Sequence, residues 1–109
     1  MFKRIILLKR KPGITQEEFS KYWREHHASL AARVIPGLRK YVQNHPRGSS
    51  TKGEIGGIAE LWFDDLESAE YAGVWRETDA ARELREDESK FIDMTIQWVR
   101  LVAEEYVVM

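Results

Sequence analysis

Cysteine is absent from this chain of 109 residues. That excludes disulfides, thiolate metal sites and cysteine nucleophiles, and accords with a cytoplasmic location. Long hydrophobic runs are also absent. The longest is the short Ile5-Ile6-Leu7-Leu8, far below the ~20 residues that span a bilayer, so no membrane partner is expected. The same stretch is too short for a signal peptide and lacks a small-residue cleavage site. There is no internal repeat, low-complexity tract or interdomain linker. Gly56-Gly57 lacks the spacing and the Lys-Ser/Thr ending of a phosphate loop, and no G-x-S-x-G elbow is present. Three histidines without an i, i+4 pair give no metal site. What remains is 43 % hydrophobic and 32 % charged, the composition of one ordinary globular domain spanning 1–109.

Net charge is −1, but the two halves differ. Residues 1–52 hold 12 Lys and Arg against 3 Glu, a balance of +9; residues 53–109 hold 5 against 15 Asp and Glu, a balance of −10. A basic half is one signature of nucleic-acid binding. Here the basic residues are dispersed, and halves that interleave in space neutralise one another. No nucleic acid is expected as a partner.

Phe2 to Lys9 carries four aliphatics in a row, as suits a central strand covered on both faces. Lys11-Pro12-Gly13 closes it. Thr15 then stands at an N-cap and Glu18 completes a capping box. Phe19, Trp23, His27 or Leu30, and Val34 recur at spacings of three and four, which predicts a helix with one apolar stripe. Pro36-Gly37 stops that helix. A second strand is predicted over Leu38–Asn44, a polar hairpin loop over His45–Gly53, and a third strand over Ile58–Phe63. Asp64-Asp65 caps a helical region over Leu66–Phe91 with a break and a new N-cap at Thr78-Asp79. A fourth strand spans Met94 to Val102, before the apolar tail Tyr106-Val107-Val108-Met109.

The order strand-helix-strand-strand-helix-strand is that of a ferredoxin-like α+β fold: a four-stranded antiparallel sheet with its helices on one face. The strands nevertheless carry apolar residues on both faces. Ala59, Leu61 and Phe63 alternate with Ile58 and Trp62, and Ile96 and Trp98 with Val99 and Leu101. An uncovered face with two tryptophans and several aliphatics is too large to leave in water. A homodimer that pairs two such faces about a two-fold axis is expected.

Glu18-Phe19-Ser20-Lys21-Tyr22-Trp23-Arg24-Glu25-His26-His27-Ala28-Ser29-Leu30 resembles the helix of EthD-domain proteins, where the pattern is roughly F-x-x-Y-W-x-x-x-H-x-x-L. Pro36-Gly37-Leu38-Arg39-Lys40-Tyr41-Val42-Gln43-Asn44-His45 resembles that family's second strand, and Ile58-Ala59-Glu60-Leu61-Trp62-Phe63-Asp64 its third. Ser29 departs from the proline often found there. The resemblance implies a dimeric α+β barrel. It also implies relatives that include methylmuconolactone methylisomerases, polyketide-modifying cyclases and cofactor-free monooxygenases. Fold alone does not choose among them.

His27 shares a helix face with Trp23, and a neutral imidazole in an apolar pocket can take or give a proton near neutrality. A core histidine bonded to backbone is the other reading, and both stay open. His26 is rotated ~100° away and falls to the surface or an interface. Tyr41 either donates its hydroxyl to a carbonyl or enolate oxygen or is an ordinary strand aromatic; Gln43 and His45 share its side of the strand. Glu60, mid-strand among apolar neighbours, needs a partner, either Arg100 or a basic residue across the dimer, unless it serves as an acid or base. Trp23, Leu30, Leu61 and Phe63 are the expected substrate-binding wall.

The expected function is a cofactor-independent enzyme acting on a hydrophobic carbonyl- or phenol-bearing small molecule, oxidoreductase-like or isomerase/cyclase-like, with His27 and Tyr41 catalytic. The alternatives are a non-catalytic ligand-binding accessory and a haem-binding protein with His27 as axial ligand.

Overall fold

The computed structural model describes residues 1–96 and 98–109. Strand β1 (Phe2–Lys9) leads to a helical rod of three parts: α1 (Gln16–Tyr22), a π-helical turn (Trp23–His27) and α2 (Ala28–Val34). Strands β2 (Lys40–Asn44) and β3 (Ile55–Phe63) follow, separated by a loop containing a 3₁₀ turn at Gly48–Lys52. Then come α3 (Leu66–Trp75), a 3₁₀ turn (Asp79–Ala81), α4 (Arg82–Glu88) and β4 (Val99–Glu104). The sheet order is β2-β3-β1-β4 with every neighbour antiparallel. This is the ferredoxin-like arrangement that the element order predicts.

Local chemistry explains the boundaries. The Thr15 side chain accepts from the Glu18 backbone at 3.1 Å, and the Glu18 carboxylate accepts from the Thr15 N–H at 2.9 Å, so both bonds of the capping box form. The Asp65 carboxylate caps α3 by accepting from the Ser68 N–H at 2.7 Å. Gly37 ends the first helical rod with φ +73°, a conformation that side chains with a Cβ rarely adopt. Gly56 and Gly57 have a packing role: a Cβ on the first would lie 2.6 Å from the Phe19 ring, and on the second 2.4 Å from Trp23. Two large rings thus rest directly on bare strand.

The predicted helical region breaks at Asp79 as expected, but its last turns stop at Glu88. The predicted fourth strand begins late. Met94–Ile96 form turn and bend, position 97 lies outside the described residues, and the ladder starts at Val99. Asp93 explains part of this, because its carboxylate accepts from the Thr95 N–H and Oγ1 and ties the chain into a turn.

The helices cover one sheet face. Leu8, Ala59, Leu61, Phe63 and Trp98 point to that side and are buried with Phe19, Trp23 and Phe91. Ile58, Val99 and Leu101 lie on the uncovered face and are 36, 58 and 47 % exposed. Only one tryptophan belongs to that face. Trp62 sits there, shielded by the Lys3 and Lys40 ammonium groups, each 4.7 Å from its ring. Trp98 is on the helix side, because the residue preceding β4 enters one step out of phase with Val99 and Leu101.

The basic and acidic halves interleave. β1 pairs with both β3 and β4. Lys3–Glu60, Lys9–Glu54, Arg33–Glu83 and Arg39–Asp64 join the halves at 2.6 to 3.6 Å.

Candidate functional site

The π-helical turn places Trp23 and His27, both buried, against the sheet and against α4. Such turns recur at functional sites. From α4, the Asp87 Oδ2 lies 2.7 Å from the His27 Nδ1, while its Oδ1 accepts from the Tyr22 hydroxyl. Burial pushes the imidazole below its ordinary value, outweighing the upward pull of Asp87. Burial also opposes ionisation of Asp87, but the hydrogen bonds from Tyr22 and His27 outweigh it and hold the carboxyl below its usual range. The pair at pH 7 is therefore a neutral imidazole against a carboxylate. In that state Nδ1 carries the proton and donates it to Asp87, leaving the Nε2 lone pair free. Nε2 makes no hydrogen bond among the described residues. The Tyr22 hydroxyl, raised to about 12 by burial and by its bond to Asp87, stays protonated.

A narrow cavity of about 40 Å³ runs between the helices and the sheet, with Trp23, His27, Tyr41, Leu61, Glu88 and Trp98 on its wall. The Tyr41 oxygen accepts from the Trp23 Nε1 at 3.1 Å and from the Gln43 Nε2 at 3.0 Å. With its oxygen so occupied, its own proton is available to an acceptor. Burial raises its pKa, so it remains a neutral donor. The same Gln43 amide donates to the Trp23 carbonyl at 3.1 Å, and its carbonyl oxygen lies 2.9 Å from the His45 Nε2. His45 stacks on Trp23 at 4.6 Å. It supports the cavity wall from behind.

His27, Tyr41, Trp23 and Leu61 are thus brought together. Leu30 and Phe63 are not: neither lines the cavity, and Phe63 is sealed in a second cluster with Leu61, Ala69 and Ala72. Ala31 and Ile35, one helical turn from His27 and beyond, occupy the wall instead. His26 is exposed and stacks on Tyr22 at 5.0 Å.

Glu60 faces the open side. Its carboxylate meets the Lys3 Nζ at 2.6 Å and the Asn44 Nδ2 at 3.1 Å, and these two contacts hold it below its usual range. Arg100 is not its partner, because Arg100 lies on the helix-covered face of β4. Glu60 is therefore one member of a structural ion pair.

Asp87 and Glu88 escape the sequence reading. A signal existed for Glu88: Ala81, Leu84, Glu88 and Phe91 recur at spacings of three and four, so a carboxylate falls on the buried stripe of α4. Glu88 is buried, its Oε1 lies 2.5 Å from Arg76, and burial raises its pKa beyond what Arg76 offsets. Asp87 carried no such mark, being 60 residues from His27.

The architecture and the cleft beneath its helices define the class: a ferredoxin-like α+β protein with a buried acid–base pair under the first helical rod. The chain matches the EthD domain over residues 11–95 and belongs to the EthD-domain family. No curated protein matches it in sequence. Among solved structures, an ethyl tert-butyl ether d (EthD) family protein from Bacillus halodurans C-125 is 26 % identical. It covers 97 % of this chain and 100 % of its own, with a TM-score of 0.67. A dimeric protein of unknown function and ferredoxin-like fold from Bacteroides fragilis NCTC 9343 is 13 % identical, covers 95 % of each chain and has a TM-score of 0.64. A putative antibiotic biosynthesis monooxygenase from Bordetella bronchiseptica is 9 % identical, covers 97 % of each chain and has a TM-score of 0.68. These last two share the fold.

Proposed function

We propose that this protein is a cofactor-independent acid–base enzyme acting on a hydrophobic small molecule that bears a carbonyl or phenol. One observation carries the reading. A buried imidazole, neutral at pH 7, has its Nδ1 held by a carboxylate and its Nε2 unbonded, on the wall of an apolar cleft that also presents the Tyr41 hydroxyl.

His27 removes a proton from the carbon next to the carbonyl, or from the phenol. The imidazolium so formed is stabilised by Asp87, which itself stays ionised. Tyr41 hydrogen-bonds the oxygen on which negative charge collects. The product is an enolate or phenolate, the common first intermediate of isomerisation, cyclisation and direct reaction with dioxygen.

A homodimer completes the reading. Ile58, Val99 and Leu101 form an apolar stripe on the uncovered sheet face, and a second copy of that face buries it. The similar protein from Bacteroides fragilis is described as dimeric.

Exchange of α-deuterium for solvent protium in a panel of aryl ketones and acylphenols, followed by proton NMR, tests the chemistry. Wild-type protein is expected to catalyse exchange, and His27→Gln to abolish it while melting as wild type does. Ligand affinity with no exchange in wild type would instead assign a non-catalytic binding role.

A further inference from the structure

Beyond Glu88 lies a second void of about 50 Å³. The two share a wall of Ile6, Ile35, Leu61, Leu84, Glu88 and Trp98. The far void is unlike the first, because three guanidinium groups line it, from Arg4, Arg76 and Arg100, against the single carboxylate of Glu88.

Arg76 is accounted for at its terminal nitrogens, although its buried Nε, like that of Arg100, lacks an acceptor. Its Nη2 lies 2.5 Å from Glu88, and its Nη1 lies 3.3 Å from Glu77 on the solvent side. Arg4 and Arg100 are not. Arg4 donates one bond, from Nη1 to the Ala69 carbonyl at 3.1 Å. Arg100 has no ion-pair partner among the described residues, and its buried Nε has no hydrogen-bond acceptor. The register sets Arg4 opposite Val102 on the neighbouring strand, so Arg100 is its diagonal neighbour on the same face. Two like charges are thus held side by side in a half-buried place, where repulsion and lost hydration both count against them.

Trp98 makes the arrangement rigid. Arg76 covers one side of its ring at 4.7 Å and Arg100 also packs on it, at 4.6 Å. Gly73 leaves room for the Arg4 guanidinium, which a Cβ there would meet at 2.8 Å. Burial lowers the pKa of both Arg4 and Arg100, against the opposing pull of Glu70 on the first and of Glu88 and Glu77 on the second.

We propose that Arg4 and Arg100 form a carboxylate-binding subsite in this second void, and that the substrate is a small hydrophobic acid. Its carboxylate docks on the two guanidiniums, its apolar body lies along the shared wall, and its carbonyl or phenol end reaches His27. This rests on the acid–base reading of the adjoining cleft, but binding is measured without turnover.

Benzoate is the probe and benzyl alcohol its neutral counterpart, each titrated calorimetrically into wild-type protein at low ionic strength. Benzoate is expected to bind at least tenfold more tightly than benzyl alcohol, and Arg100→Met to weaken benzoate at least tenfold with the alcohol unchanged. Equal affinity for the two probes in wild type, or an unchanged benzoate affinity in Arg100→Met, overturns the proposal. Should that variant fail to fold, NMR of wild-type arginine Nε–H groups decides instead. Benzoate must shift those of Arg4 and Arg100, and shifts confined to exposed arginines such as Arg24 and Arg47 reject the site. The exchange assay separates the two readings: benzoate affinity that depends on Arg100 in a wild-type protein showing no exchange removes the proton-transfer assignment alone, and exchange without that affinity removes the carboxylate subsite alone.

Discussion

The two faces of the sheet hold similar residue types and treat their polar groups in opposite ways. On the open face, Lys3 meets Glu60 at 2.6 Å and Glu105 at 3.1 Å, Glu60 is also held by Asn44, and the Trp62 Nε1 donates to Glu105 at 3.0 Å. Its polar groups satisfy one another, and its aliphatic stripe lacks cover. On the helix side the aliphatics are sealed, while the His45 Nδ1 and the Arg76 and Arg100 Nε atoms are buried without partners among the described residues. A polar group left unpaired in a buried place is costly, so its persistence points to a ligand. The open face thus leaves an apolar stripe uncovered, and the covered face leaves polar atoms unpaired beside a cleft.

That contrast can be broken from either side. Trp23→Ala should have the largest effect, since it empties the wall on which Gly57 rests and removes a donor to Tyr41. Urea denaturation should show a loss of about 3–5 kcal/mol; a loss below 1 kcal/mol would mean the inner face is not the packed one. Asp87→Asn should lower turnover by at least ~10²-fold at nearly unchanged KM, because the imidazole loses its orienting anion. Unchanged turnover would make the Asp87 contact merely structural.

Leu101→Glu on the open face should convert a dimer to a monomer in sedimentation velocity, while Glu60→Gln should leave assembly intact. A monomeric wild type would remove the interface.

Acid provides a subtler test. The folded pKa of His27 lies below its ordinary 6.5, so the unfolded chain takes up the proton first. The melting temperature should therefore hold above pH 6.5 and fall as the pH drops below it, and His27→Gln should flatten that slope. A melting temperature that rises over the same range contradicts a neutral buried imidazole. Smallest of all, Lys3→Met should cost about 1 kcal/mol or less, since exposed and partly exposed ion pairs contribute little.

Much of the scaffold was legible from local chemistry. Thr15 and Glu18 specify a helix start within four residues, Pro36-Gly37 ends the rod, and period-two alternation in Ile58–Phe63 assigns Leu61 inward and Trp62 outward. The site was legible only in part. His27 and Tyr41 could be marked by residue type and face, but Asp87 lies 60 residues away in sequence, and nothing in its neighbourhood says that it turns toward an imidazole. Glu60 and Arg100 look like partners on paper, being opposite charges on strands consecutive in sequence, but β1 lies between those strands. One residue of strand phase sends them to opposite faces. Alternation likewise separates Trp98 from Val99 and Leu101, but only the register with β1, which pairs Leu7 with Val99, decides that Val99 faces out and Trp98 in.

Periodicity, capping and turn chemistry act over a few residues, so the chain alone settles its elements, their order and the two-faced character of its strands. Which carboxylate meets His27, which cation meets Glu60 and which two arginines are left beside each other depend on packing between segments far apart in the chain. Those pairings exist only once helix and sheet close on one another and water is gone.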